Sequence, residues 1–321
     1  MESEKHFSPE SRKESTVDLS ALTFDFCADD QIKNHYDQKL RKIEDKEKWI
    51  EENKENLVRN KTKILKAVEN GLISDDRPET IWRFQLDKAM EGQEKVLQIK
   101  KELEGRVEDI KKIVSEKLGG FLPDWILDKA TISFTMNEKA DFCVDKDVIT
   151  VDLGRLVFEK DFFEKTVQGI THEVFHVWMS EKSDWSDAEQ DSISDTALRT
   201  RIIFKTVDEG LAVLVSGQSL KIHHEKQGRK YDEFIQESFT AFNNFTLDKS
   251  REELEKIKDE EFQNMGHFYV VGHEIVQTIL KKEGIENFRK LVKKARDNPI
   301  KILELYKKIS ADSPELAKIK L

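Results

Sequence analysis

Apolar and charged positions alternate at helical spacing over the first half of the chain. From Asp37 to Lys66, Leu40, Ile43, Ile50, Leu57 and Ile64 form a narrow apolar stripe that continues to Val68, and Asp37/Arg41, Glu44/Lys48 and Glu55/Arg59 pair four residues apart. Such pairs support a helix on its solvated face, and Asn70-Gly71 supplies a stop. A second helix is expected from Pro78, with Ile81, Phe84, Met90, Leu97, Leu103, Val107, Ile110 and Val114 inward, until Gly119-Gly120 and Pro123 break it. Together they predict a long antiparallel helical pair. Ile43, Ile50, Leu57 and Ile64 recur every seven residues, as in a coiled coil. The companion positions Glu47, Lys54 and Lys61 are charged, which favours packing on the rest of the chain over a dimer seam.

The pattern shifts from helical period to alternation after Pro123. Thr131–Met136 and Asp147–Leu153 carry β-branched and aromatic residues in alternation, separated by turn-like Asn137-Glu138-Lys139 and Asp145-Lys146-Asp147. They predict strands of a small antiparallel sheet. From Asp161 onward the reading is helix after helix, punctuated at Ser183-Asp184, Ser216-Gly217, Gly228 and Asn298-Pro299. Residues 1–30 are Ser-rich and charged, so a mobile tail is expected, with a short apolar patch at Leu19–Phe24 that could dock. The fold class expected is α+β, mostly α, divided into a tail over 1–30, a helical region over 31–120 and a second domain over 121–321.

Composition narrows the setting. Charged and apolar residues each make up 37% of the 321, the profile of a folded soluble chain. A net charge of −10 argues against nucleic acid or an anionic membrane as an obligatory partner. Cys27 and Cys143 form no paired motif, and no apolar run approaches the roughly 18 residues of a membrane span. A reducing, cytoplasmic setting is expected; oligomeric state is not readable.

Candidate chemistry sits in the helix opened by Asp161-Phe-Phe-Glu164, a capping-box pattern, with Val167, Ile170, Val174 and Val177 as its core stripe. His172 and His176, four apart, project from one face and can hold one metal ion without distorting the backbone. Glu173, between them, can reach a water on that ion. Further on, Leu198, Ile202, Glu209, Ala212 and Val213 share an apolar stripe, which puts a carboxylate on a face that should be buried. A divalent metal would keep it ionised, and a buried salt bridge would do the same. Asp208, Asp187 and Glu189 compete as third ligand. His223-His224 reads as a solvated loop, and Trp178 and Trp185 as core or rim residues.

His172-Glu173-x-x-His176, followed 33 residues later by Asp208-Glu209-Gly210-Leu211-Ala212, resembles the gluzincin metallopeptidases of the thermolysin-like clan, most closely their peptidase MA-like members. The resemblance covers roughly Thr131 to Lys294. It implies a thermolysin-like zincin core with an edge strand ahead of the active-site helix, a catalytic Zn²⁺ and peptide or protein substrates. It further implies His172, His176 and Glu209 as ligands and Glu173 as general base. Better-known gluzincins often place an acid four residues after the ligand Glu, where this chain has Val213, so the group that supports a histidine ligand must come from elsewhere. Gly266–Ile275 is similar to a later family helix in which a Tyr, here Tyr269, and a Gly three residues on, Gly272, face the cleft. Tyr269 would donate to the oxyanion, with His267 and His273 as alternatives. The strand Asp147–Leu153 would add an extended peptide at its edge. The competing function is a helical scaffold with a structural or vestigial metal site, for which Glu173 would have no use.

Overall fold

The computed structural model describes residues 16–61, 64, 65, 68, 74–136, 141–180, 194–245, 249–260, 262, 265–298 and 300–311. Within the expected tail, residues 1–15 lie outside these, while β1 (Val17–Asp18) and β2 (Leu22–Phe26) are strands with Leu19 and Leu22 buried. The apolar patch docks because it completes pleated pairs with later strands, so the tail reading does not extend to residue 30.

Helices α1 (Asp29–Glu44) and α2 (Lys46–Arg59) replace the single first helix. The break falls at Asp45, whose carboxylate accepts from the Lys48 amide at 3.0 Å and so caps a new helix. The second expected helix is likewise split at Arg106, into α3 (Pro78–Gly105) and α4 (Val107–Gly119). Asp29 pairs with Lys100, Tyr36 lies against Gly92, and the Trp82 indole donates to the Ile43 carbonyl at 2.6 Å. Rising numbers on one helix meet falling numbers on the other, so α1 and α3 are antiparallel, as expected. The α2 helix buries none of its residues and remains solvated.

Strands β3 (Trp125–Ile126), β4 (Ala130–Thr135), β5 (Phe142–Asp145) and β6 (Val148–Asp152) follow. β1 pairs with β3, and the larger sheet has the order β2-β4-β6-β5. The antiparallel expectation is corrected here: β4 runs parallel to both β2 and β6, and the β5–β6 pair alone is antiparallel in this mixed sheet. The cause is the β5–β6 hairpin, turned at Lys146 (φ 56°), which sends β6 back alongside β4 in β4's own direction. A second correction follows: β6 is internal, and among the described strands the edges of this sheet are β2 and β5.

The remaining chain is helical: α5 (Leu153–Leu156), α6 (Phe162–Ser180), α7 (Asp195–Ser216), α8 (Leu220–Lys226), α9 (Tyr231–Phe245), α10 (Arg251–Glu260), α11 (His267–Asp297, bent at Gly284) and α12 (Ile300–Ala311). The result is α+β and mostly α. Ser194 caps α7, and Gly217, at φ 73°, ends it. His223-His224 is not a loop but part of α8, where His224 is fully buried against Phe234. Burial pushes its pKa down to about 4. One apolar core runs from Val17 to Ile309 and includes residues of α1, α3 and α4. Among the described residues no helix is long and apolar enough to cross a membrane.

α6 lies at the centre, packed on the sheet, α4 and α7. Its burial on nearly every side follows from its sequence, in which Val167, Ile170, Val174, Phe175 and Trp178 leave little polar surface. The guanidinium of Arg296 on α11 covers Trp178 at 4.7 Å, which makes that tryptophan a core residue.

Candidate metal centre

Two helices bring together three groups that could hold a metal ion. On α6, His172 and His176 point their Nε2 atoms at one another, 3.0 Å apart. From α7, Glu209 Oε2 lies 3.2 Å from the first and 3.3 Å from the second. Tetrahedral zinc with bonds near 2.0 Å holds neighbouring donors about 3.3 Å apart, so this triangle has the size of one face of such a site. The donor set fits the ion chemically as well. His176 Nδ1 is 2.9 Å from Asp208 Oδ2, and an N–H donated there leaves the Nε2 lone pair facing inward. Two imidazole nitrogens and a carboxylate oxygen converging on one point could hold a metal ion between them.

The electrostatics without a metal point the same way. Burial disfavours the His176 imidazolium, yet the Asp208 and Glu209 carboxylates outweigh it and hold its pKa well above the ordinary value. Burial likewise opposes ionised Glu209, but His176, aided by His172, keeps its carboxyl well below the usual range. Both shifts favour positive charge at the point where the three groups meet.

These residues line a cavity of about 700 Å³ together with Cys143, Val144 and Asp145 of β5 and Lys146 of the following turn. Glu173 also lines it; burial raises its carboxyl pKa, and His176 and His172 partly oppose that rise. Tyr269 enters from α11, with its ring stacked 6.5 Å from that of His172. Burial, then the Glu209 charge, raise its pKa, so the phenol stays a donor. The alternatives are placed elsewhere. His267 stacks on Phe234 and meets Ser238 Oγ at 3.0 Å, and His273 sits 3.7 Å from Glu274. Asp187, Glu189 and Trp185 lie outside the described residues.

Glycines set how closely these elements approach. Gly272 is buried at the crossing of α11 and α7 rather than facing the cleft as expected: a side chain there would overlap the Thr206 carbonyl, and Gly210 Cα lies 3.1 Å from where its first carbon would stand. Tyr269, one turn before Gly272, is thereby brought beside Glu209 on α7. Gly169 on α6 leaves space for the Phe142 ring of β5, which seats the edge strand against the helix that carries both histidines.

Sequence reasoning assembled His172, Glu173, His176, Glu209 and Tyr269 at one place, and the structure brings all five to one cavity. It did not foresee that Asp208, weighed only as a rival ligand, would bind His176. The signal was present: with Val213 at the usual acidic position, the nearest remaining carboxylate beside the ligand is Asp208.

The profile of a protein family described as "Putative zinc dependent peptidase (DUF5700)" matches residues 22–314, and the chain belongs to that family. No curated protein and no solved structure matches it.

Proposed function

From that membership and the convergence of the three donors, we propose that this chain is a zinc peptidase of gluzincin type, with His172, His176 and Glu209 holding the ion and Glu173 serving as general base. The observation that carries the reading is the triangle of two Nε2 atoms and one carboxylate oxygen, with Glu173 on the wall of the same cavity. A scaffold with a structural site would need the triangle and have no use for the adjoining carboxylate. Zinc, when bound, would supply an activated water and polarise the scissile carbonyl.

The rest is done by the chain's own groups. Glu173 accepts the proton of the attacking water and returns it to the leaving amine, a task favoured by a carboxyl whose pKa burial raises above the ordinary carboxylate value. Asp208 holds the His176 ring in place through Nδ1. The phenol of Tyr269 donates to the developing oxyanion. The exposed edge of β5 can pair with an extended peptide through backbone groups, which would place a scissile bond over the ligands with little demand on sequence.

Elemental analysis of the purified protein is expected to find about one zinc per chain, the content of a single three-ligand site. His172→Ala and Glu209→Ala should each lose most of it while keeping native circular dichroism. Zinc that survives both substitutions would show that these residues are not ligands. For the oxyanion role, Tyr269→Phe should lower kcat by about 10²-fold with little change in KM, because the bond is made mainly in the transition state. Unaltered kcat in that variant would remove Tyr269 from the chemistry.

A further inference from the structure

The contacts that seat β5 on α6 lie on the helix face that also carries the site. Lys165, Gly169, His172, Glu173 and His176 follow one another at three- and four-residue intervals, or one after the next in the case of His172 and Glu173, and so share one stripe of α6. Lys165 Nζ lies 4.0 Å from Oδ2 of Asp141, the residue just before β5. One turn further along the helix, the Phe142 ring rests on Gly169 so closely that a methyl group there would overlap three ring atoms. Cys143, Val144 and Asp145 then line the cavity with His172, Glu173 and His176. Strand and helix numbers rise together, so β5 runs along the stripe toward the candidate ligands.

The pairing of β5 with β6 fixes which of its backbone groups face outward. Phe142 stands opposite Val151 and Val144 opposite Ile149, while the Asp152 amide donates to the Asp141 carbonyl at 3.0 Å. Hydrogen-bonded and non-hydrogen-bonded partners alternate along an antiparallel pair. Asp141 with Asp152 and Cys143 with Thr150 are therefore of the bonded kind, and Phe142 and Val144 aim their N–H and C=O groups away from β6, at the edge of the sheet. Side chains alternate too, and the half-buried Phe142 and Val144 share the face toward the core. One residue thus offers edge groups and, through its ring, sets the height at which that edge stands over α6.

We propose that Phe142 is a positioning residue for the substrate: seated on Gly169, its ring holds the N–H and C=O groups of Phe142 and Val144 where an extended peptide can pair with them and still lie across the candidate ligands. The proposal rests on the peptidase reading and deepens it, naming the groups that hold the peptide backbone and the contact that sets their height. If the strand rides higher, a peptide paired with it no longer reaches the floor of the cavity, since parting by about 1 Å breaks a hydrogen bond of ordinary length. The advantage of a long substrate over a short one therefore depends on the fit of the ring to Gly169.

The test compares two substrates with the same scissile bond: a blocked dipeptide, and a peptide extended by about four residues on each side, long enough at about 3.3 Å per residue to run the length of β5. Their kcat/KM values are measured with zinc-loaded wild type, Gly169→Ala, Phe142→Leu and the double variant, beside zinc content and thermal midpoint. The long peptide should be the better substrate, and N-methylation of its backbone at alternate residues should remove that advantage. Gly169→Ala should cut the advantage about tenfold, the scale of one or two backbone hydrogen bonds, while the short substrate changes much less. Adding Phe142→Leu should restore part of it, because the new methyl then meets a slimmer side chain, and such non-additivity marks two residues in contact. If Gly169→Ala does not fold, Phe142→Ala, which removes the ring from beneath the strand, carries the same comparison. A loss shared equally by both substrates, or a ratio unchanged in the variants, would overturn the positioning role and leave the peptidase reading standing. Without any cleavage, fluorescence anisotropy of the labelled long peptide separates the rest: binding that N-methylation and Gly169→Ala both weaken would keep the positioning role and overturn the peptidase reading, and no such binding would overturn both.

Discussion

Glu173→Gln is expected to leave the fold and the zinc content intact while turnover falls by about 10² to 10⁴, the range that a positioned general base supplies. The side chain keeps its size and still lines the cavity, but an amide cannot accept the proton of the attacking water. Zinc should be retained because Glu173 is not among the three groups whose donor atoms converge. The wild-type carboxylate sits in a place that opposes its charge, with only 9% of the residue exposed. Removing that charge therefore should not destabilise the chain. The measurement is kcat on a cleaved peptide beside zinc stoichiometry and thermal midpoint. Equal turnover would remove Glu173 from the mechanism, and zinc lost along with activity would make it a ligand instead.

Gly272→Ala should be the most damaging conservative change outside the ligand set. The new methyl group would meet backbone at the α7–α11 crossing, the most extensive helix contact in the fold. Neither the Thr206 carbonyl nor Gly210 can swing aside, so the helices must part. Overpacking of this kind costs about 1 to 3 kcal/mol, and more where the obstacle is backbone. Parting the helices also draws Tyr269 away from Glu209, so kcat should fall in protein that remains folded. Gly105→Ala is the control, since nothing lies within 4 Å of the position its methyl would take. Urea denaturation of both variants checks the prediction. A Gly272→Ala protein as stable and active as Gly105→Ala would mean that the close crossing is not needed.

The candidate metal centre was legible as a cluster because helical geometry brings its groups together directly. His172 and His176 need only the four-residue spacing, and Glu209 reveals itself as a carboxylate on an apolar stripe. Strand direction was not legible, because alternation in Thr131–Met136 and Asp147–Leu153 states which face is buried and nothing about which neighbour runs alongside. β2 was read only as part of a patch that could dock, since five residues in a polar context do not declare a strand until their partner is known. His224 was misplaced for a related reason. Its neighbours in sequence are polar, while those that bury it, Phe234 and Tyr231, come from the next helix. The helix breaks at Asp45 and Arg106 interrupt a continuous apolar stripe, which is why periodicity alone ran through them.

The parallel pairing of β2 with β4 joins segments far apart in sequence: Thr23 and Thr131, 108 residues apart, share a hydroxyl contact of 3.0 Å. A ribosome adding about 5 to 20 residues per second would take on the order of 5 to 20 s to make the later strand after the earlier one. During that interval β2 is an orphan, with backbone donors and acceptors open to any passing strand. Its sequence is suited to the wait. Asp25, exposed within Leu22–Phe26, places a charge where a foreign sheet edge would have to seat it, the same device by which gatekeeper residues keep unavoidable apolar strands from aggregating.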